Sequence, residues 1–238
     1  MSTAGTQGDW FWLRQAPWTP QWLPNRVPPR DQDTERRLMA DRTAPRPGWA
    51  AFVMLLMLAG LWILELLDQL SGNELDQLGI HAREVDGMPE IFTAPFLHAG
   101  WDHLISNSLP FYVLGFLVLL SGLARWLASS LVIIVVSGMA AWSLTPAHTI
   151  ILGASGLIFG WLTYLLFRGI WSRRPGQVVV AVLVLLVYGG LIWGVFPGTA
   201  GVSWQAHLGG AIGGVIAAWL LHRRTSRQLV TTAPGRRY

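Results

Sequence analysis

The sequence contains no cysteine and no lysine, and charged residues fill only 13% of its 238 positions. Without cysteine there is no disulfide and no thiolate nucleophile or metal ligand. The shortage of charge excludes an ordinary soluble domain, in which about a quarter of the residues are charged. Met1 to Pro47 is polar and rich in proline and arginine, without the apolar stretch of a signal peptide. No His-Glu-x-x-His occurs, which argues against zinc-dependent hydrolysis. Neither a metal nor a cofactor is expected. The absence of lysine leaves arginine as the sole basic residue and fits a GC-rich, bacterial genome.

What fills the chain instead is apolar: 52% of residues are hydrophobic and the mean hydropathy is +0.42. About 20 apolar residues rising about 1.5 Å each cross a hydrocarbon core of about 30 Å. Six such stretches are predicted, at roughly Trp49–Leu67, Leu104–Leu120, Leu127–Leu144, Leu152–Phe167, Val178–Phe196 and Trp204–Leu221. The expected fold is therefore an all-α polytopic membrane protein, a bundle of six transmembrane helices over residues 48–222. Residues 1–47 form a Pro-, Arg- and Trp-rich tail and residues 223–238 a short basic one. Trp10, Trp12, Trp18 and Trp22 either lie in the membrane interface or remain disordered with the rest of that tail.

An isoelectric point near 10.3 suggests nucleic acid, but the placement of the arginines explains it better. With the N-terminus inside, Arg14 to Arg46, Arg125, Arg168, Arg173, Arg174 and Arg223 to Arg237 all fall on the inner side. Of seventeen arginines only Arg83 falls outside. That asymmetry sets orientation in membrane proteins, so both termini are predicted to be cytoplasmic in a cell membrane. No nucleic-acid partner is expected. The segment from Asp68 to Asp102, acidic and rich in glycine and proline, should form a cap on the outer surface.

Polar side chains inside spans are costly and ask for a partner or a function. His103 and Asn107 are four residues apart and share a face of the second helix, with Asp102 placed to cap its start and Pro110 to bend it. Ser155 lies in Gly153-Ala154-Ser155-Gly156, and Ser155 to Phe167 is too short to cross a bilayer alone. A helix starting at Ser155 presents unbonded N–H groups and a positive dipole end, which suit a developing oxyanion. His207 opens the sixth span. Gly210 and Gly214 form a small-residue stripe there, matched by Gly156 and Gly160 on the fourth, so the two helices can approach closely. Taken singly, each has a plain structural reading: a serine bonding a carbonyl, an interfacial histidine, an asparagine joining helices. Together, at similar depth, they point to a nucleophile and its base.

The segment Phe96-Leu97-His98-Ala99-Gly100-Trp101-Asp102-His103-Leu104-Ile105-Ser106-Asn107, then Gly153-Ala154-Ser155-Gly156, then Ala206-His207-Leu208-Gly209-Gly210, resembles the rhomboid family of intramembrane proteases. The resemblance spans about Ile91 to Leu221. It implies a Ser–His dyad: Ser155 attacks the scissile carbonyl while His207 takes its proton and passes it to the leaving amine. It also implies an oxyanion site made by the Ser155 N–H with His103 and Asn107, a structural His98, and Phe159 stacked on the histidine. Many rhomboids carry tyrosine at that last position. Pro89-Glu90 stand where rhomboids often have a Trp-Arg pair. The implied substrates are membrane-anchored proteins cut near the outer face, with membrane lipid as the surrounding partner. The competing readings are a non-catalytic rhomboid-like protein that binds membrane clients, metal chemistry on His98, His103 and His207, and a small transporter.

Overall fold

The computed structural model describes residues 46–172, 175–198 and 201–231. The tail tryptophans, most of the N-terminal arginines, Arg173, Arg174 and the last seven residues lie outside them. The described chain is mostly helical: α1 (Pro47–Ser71), α2 (Trp101–Leu119), α3 (Leu123–Leu144), α4 (Ser155–Ser172), α5 (Pro175–Tyr188) and α6 (Trp204–Thr231). α5 is continued by a 3-10 segment, Gly189–Val195, and α6 runs past Leu221, where the apolar pattern stops. Among the described residues five helices are long and apolar enough to cross a membrane: α1, α2, α3, α5 with its continuation, and α6 to His222. The chain is a multi-pass membrane protein.

The fourth expected span, α4, is not among those five. Its 18 residues carry Arg168 and are largely buried, and it packs against α2, α3, α5 and α6. It is the hub of the bundle. Leu157, Trp161, Leu162 and Leu165 on it meet Leu104, Phe111, Leu114 and Ile133 from the helices around it in one continuous core. Lipid-exposed apolar surface belongs to the outer helices, above all α1 and α5, where Leu55, Ile63, Val182 and Leu186 are exposed.

Contact between α4 and α6 is made by backbone. A Cβ on Gly210 would drive into the Gly156 carbonyl, and one on Gly214 into the Gly160 carbonyl and Thr163 Oγ1. Thr163 Oγ1 also donates to the Ala211 carbonyl at 2.8 Å. The glycines of α4 have a second use: Ser137 and Ile133 of α3 occupy the space that side chains at Gly156 and Gly160 would need. α6 likewise has a second small face, Gly209 and Gly213, pressed against Ser137, Val136 and Ile133 of α3. Ser137 Oγ donates to the Ala206 carbonyl at 2.8 Å, and Trp161 Nε1 to Ser130 Oγ at 3.0 Å. Buried polar groups thus lock α3, α4 and α6 together.

Between α1 and α2 lies the ordered cap. α1 ends at Gly72, left-handed at φ 81°, and the buried Asp68 carboxylate accepts the Leu75 N–H at 2.7 Å. A strand β1 (Ile80–His81) pairs antiparallel with β2 (Ile150–Ile151), the strand that leads into Ser155. Trp142 Nε1 of α3 donates to the Glu84 carbonyl at 2.8 Å. At the site of the missing Trp-Arg pair, a 3-10 turn over Pro89–Ile91 buries Ile91 in the notch left by Gly138 of α3. Apolar packing does the anchoring there. One expectation is corrected: Gly100, not Asp102, is the N-cap of α2, and Asp102 sits in the first turn, where its charge favours the helix dipole.

Candidate active site

Three helix beginnings and one helix-following segment meet beneath the cap around a cavity of about 1280 Å³. His103, Asn107, Ser155, Phe159, Gly194 and His207 all line it. Each position follows from local structure. α4 begins at Ser155 because Ala154 accepts the first intrahelical bond, from Ile158 N at 3.0 Å. The N–H groups of the first turn, Ser155 among them, therefore have no acceptor within the helix. The loop before it is fixed by Gly153, whose N–H donates to the Ala94 carbonyl at 2.8 Å and whose φ of 126° favours glycine. A side chain at Gly153 would also strike the His103 ring, its Cβ lying 2.8 Å from Nε2. The imidazole of His103 therefore rests on the backbone two residues before the serine.

His207, 6% exposed, is held on two sides. Its ring stacks on Phe159 with centroids 4.1 Å apart and planes 9° from parallel. Its Nδ1 lies 2.9 Å from the Gly194 carbonyl. A carbonyl can only accept, so Nδ1 carries the proton and Nε2 is left with a lone pair, the tautomer a general base requires. The residues flanking the two groups are in backbone contact, since a Cβ on Gly156 would lie 3.2 Å from the Ala206 carbonyl oxygen. No hydrogen bond joins the Ser155 hydroxyl to the His207 ring in this structure; such contacts often tighten only when substrate binds.

Asn107 is 7% exposed and its Nδ2 has no hydrogen-bond partner, a buried donor left open on the cavity wall. His98 is 2% exposed and lies behind His103, with ring centroids 5.2 Å apart at 70°. Burial, and secondarily His103, pushes its pKa down to about 3, so it is neutral at ordinary pH. Asp76, also on the wall, has its carboxyl pKa raised by burial, with Asp68 and Glu65 adding to the effect. Among the described residues no group of three His, Cys, Asp or Glu side chains could hold a metal ion.

The family model for the Rhomboid domain matches residues 86–224, more than half of the sequence. The chain belongs to the rhomboid family. An uncharacterized protein of Mycobacterium tuberculosis is 42% identical over 195 residues, 78% of this chain and 81% of the relative. One of Mycobacterium leprae is 44% identical over 178 residues, 71% of this chain and 70% of the relative. Rhomboid-like protein 11, chloroplastic, of Arabidopsis thaliana is 32% identical over 155 residues, 59% of this chain and 55% of the relative.

Two contributors to this rhomboid site were not singled out from sequence. The Gly194 carbonyl sits in the 3-10 continuation of α5, for which Gly189-Gly190 and Gly194 in an apolar run were the available signal. Ser137 is an unremarked serine in an apolar helix, and nothing in its sequence context marks its bond to Ala206.

Proposed function

We propose that this rhomboid is an intramembrane serine endopeptidase that cuts membrane-anchored proteins near the outer membrane face with a Ser155–His207 dyad. The observation that carries the reading is the pairing of a serine at a helix start with a tautomer-fixed histidine on one cavity wall. His207 Nε2 takes the Ser155 proton as Oγ attacks the scissile carbonyl, then returns it to the leaving amine; water repeats the cycle to release the acyl group. The Ser155 N–H, Asn107 Nδ2 and His103 hold the oxyanion, and an unpartnered buried Asn107 donor suits that task. Phe159 and Gly194 keep the base in register, and His98 backs His103.

In this reading α4 serves as a sixth membrane helix. It starts below the outer surface, packed among α2, α3, α5 and α6, so that Ser155 meets the cavity at depth. Both termini lie in the cytoplasm of a bacterial cell; the arginine distribution supports that orientation. A non-catalytic client-binding protein would need neither a fixed histidine tautomer nor an open oxyanion donor.

The test is cleavage of a single-span substrate, with small helix-destabilising residues near its outer end, by purified protein in proteoliposomes. Ser155→Ala and His207→Ala should each lower turnover by at least about 10⁴-fold. Asn107→Ala should lower it by about 10²–10³-fold, since other donors remain. Full cleavage by Ser155→Ala would overturn the assignment.

A further inference from the structure

At the end of the bundle opposite the cavity, α3 begins without the groups that usually satisfy a helix N-terminus. Its N-cap is Gly122, at φ 109°, no side chain caps it, and its first turn holds no acidic residue. Helix starts normally recruit a side-chain oxygen or a carboxylate to their unbonded N–H groups and positive dipole end. Two arginines converge on the same turn instead. Arg125 Nη1 donates to the Ser121 carbonyl at 3.0 Å, and Arg168 Nη1 of α4 donates to Ser121 Oγ.

Arg168 is 6% exposed and its Nε is buried without a partner. A buried guanidinium calls for a negative charge. Among the described residues none is at hand: every described carboxylate lies between Glu65 and Asp102, towards the cavity end, and no acidic residue follows Asp102 in the sequence. Tyr164 and Arg125 lie near Arg168, and neither is a carboxylate. Arg125 is exposed and Ser121 half-buried, so the turn connects the surface to the buried cation. Leu123 and Leu127 beside it, and Ile170 on α4, are exposed apolar groups.

We propose that the turn Ser121–Arg125, with Arg168, binds the phosphate of an anionic phospholipid headgroup. The phosphate oxygens would accept from the free N–H groups of α3 and from both guanidinium groups, while an acyl chain lies along Leu123 and Leu127. This site is independent of the peptidase reading and rests only on the bundle crossing a bilayer.

The test uses full-length protein in a neutral detergent, with melting temperature and lipid retained in native mass spectrometry as readouts. Phosphatidylglycerol should raise the melting temperature by on the order of 5 °C at saturation, and phosphatidylcholine should not. Arg168→Gln and Arg125→Gln should each lose most of that rise and of the retained lipid. Arg125 is exposed, so its variant decides the matter if Arg168→Gln does not fold. Inorganic phosphate is the third arm: an equal rise with it would show a small-anion site and overturn the headgroup as occupant. An equal rise with phosphatidylcholine, or an undiminished rise in both variants, would overturn the site itself.

Discussion

α4 meets α6 and α5 on different terms. Against α6 it is joined backbone to backbone, with Gly156 and Gly160 facing Gly210 and Gly214, and half of the most apolar stretch of α6, 50%, is buried. Against α5 it comes close at Gly169, beside Ala181 and Gln177, yet only 6% of the corresponding stretch of α5 with its continuation is buried. Val184 is the buried residue of α5. Yet the segment that follows α5 supplies the Gly194 carbonyl to His207. Nucleophile and base are thus carried by the tightest interface in the molecule, while the orientation of the base is set from the segment that follows the most exposed of the five long apolar helices. Substitutions should sort accordingly: structural damage on the α6 side, and on the α5 side tolerance except at one point.

The largest expected effect is Gly214→Val. Its side chain would collide with the Gly160 carbonyl and Thr163, so about 3 kcal/mol of stability should be lost, read as a collapse in melting temperature or in folded yield. A normal melting temperature would break the comparison. Next is Gly194→Ala, whose Cβ would lie 2.7 Å from Phe159 Cζ and 3.2 Å from His207 Nδ1. Displacing the ring by a fraction of an ångström should reduce kcat by about 10–100-fold with little change in KM or stability.

Over any one pH unit the response of His98 should be smaller. Its folded pKa of about 3 lies below the ordinary histidine value of 6.5, so between those limits the unfolded chain binds a proton that the folded one does not. Stability should therefore fall as pH drops from 6.5 towards 3, by up to about 1.4 kcal/mol per pH unit from this group. Melting curves across that range should flatten in His98→Phe. Smallest of all is Leu186→Ala on α5, 76% exposed, which should change stability by less than about 0.5 kcal/mol. A large loss there would show that α5 is held more firmly than its contacts indicate.

Much of this contrast was legible in the sequence. Apolar runs gave the helices, and the i, i+4 glycines predicted that the helices bearing Ser155 and His207 would lie close. The His103–Asn107 spacing put both on one helix face, and both line the cavity. Hydropathy did not show how each run is built. The fifth run is one candidate span, as expected, but within it the chain tightens into a 3-10 segment at Gly189 and thereby turns a carbonyl towards His207. Nor did hydropathy show that the fourth run makes a short, largely buried helix that carries Arg168. The second glycine face of α6, and the seating of Ile91 against Gly138, depend on which helices become neighbours. Periodicity within one segment does not contain that information.

The central claim is that Ser155 is an activated nucleophile, and labelling with a fluorophosphonate probe tests it most directly. Folded, detergent-solubilised wild type should take up the probe at Ser155. Ser155→Ala should take up none, and His207→Ala should react far more slowly. Wild-type protein that is folded yet unlabelled, or label that persists in Ser155→Ala, would contradict the account.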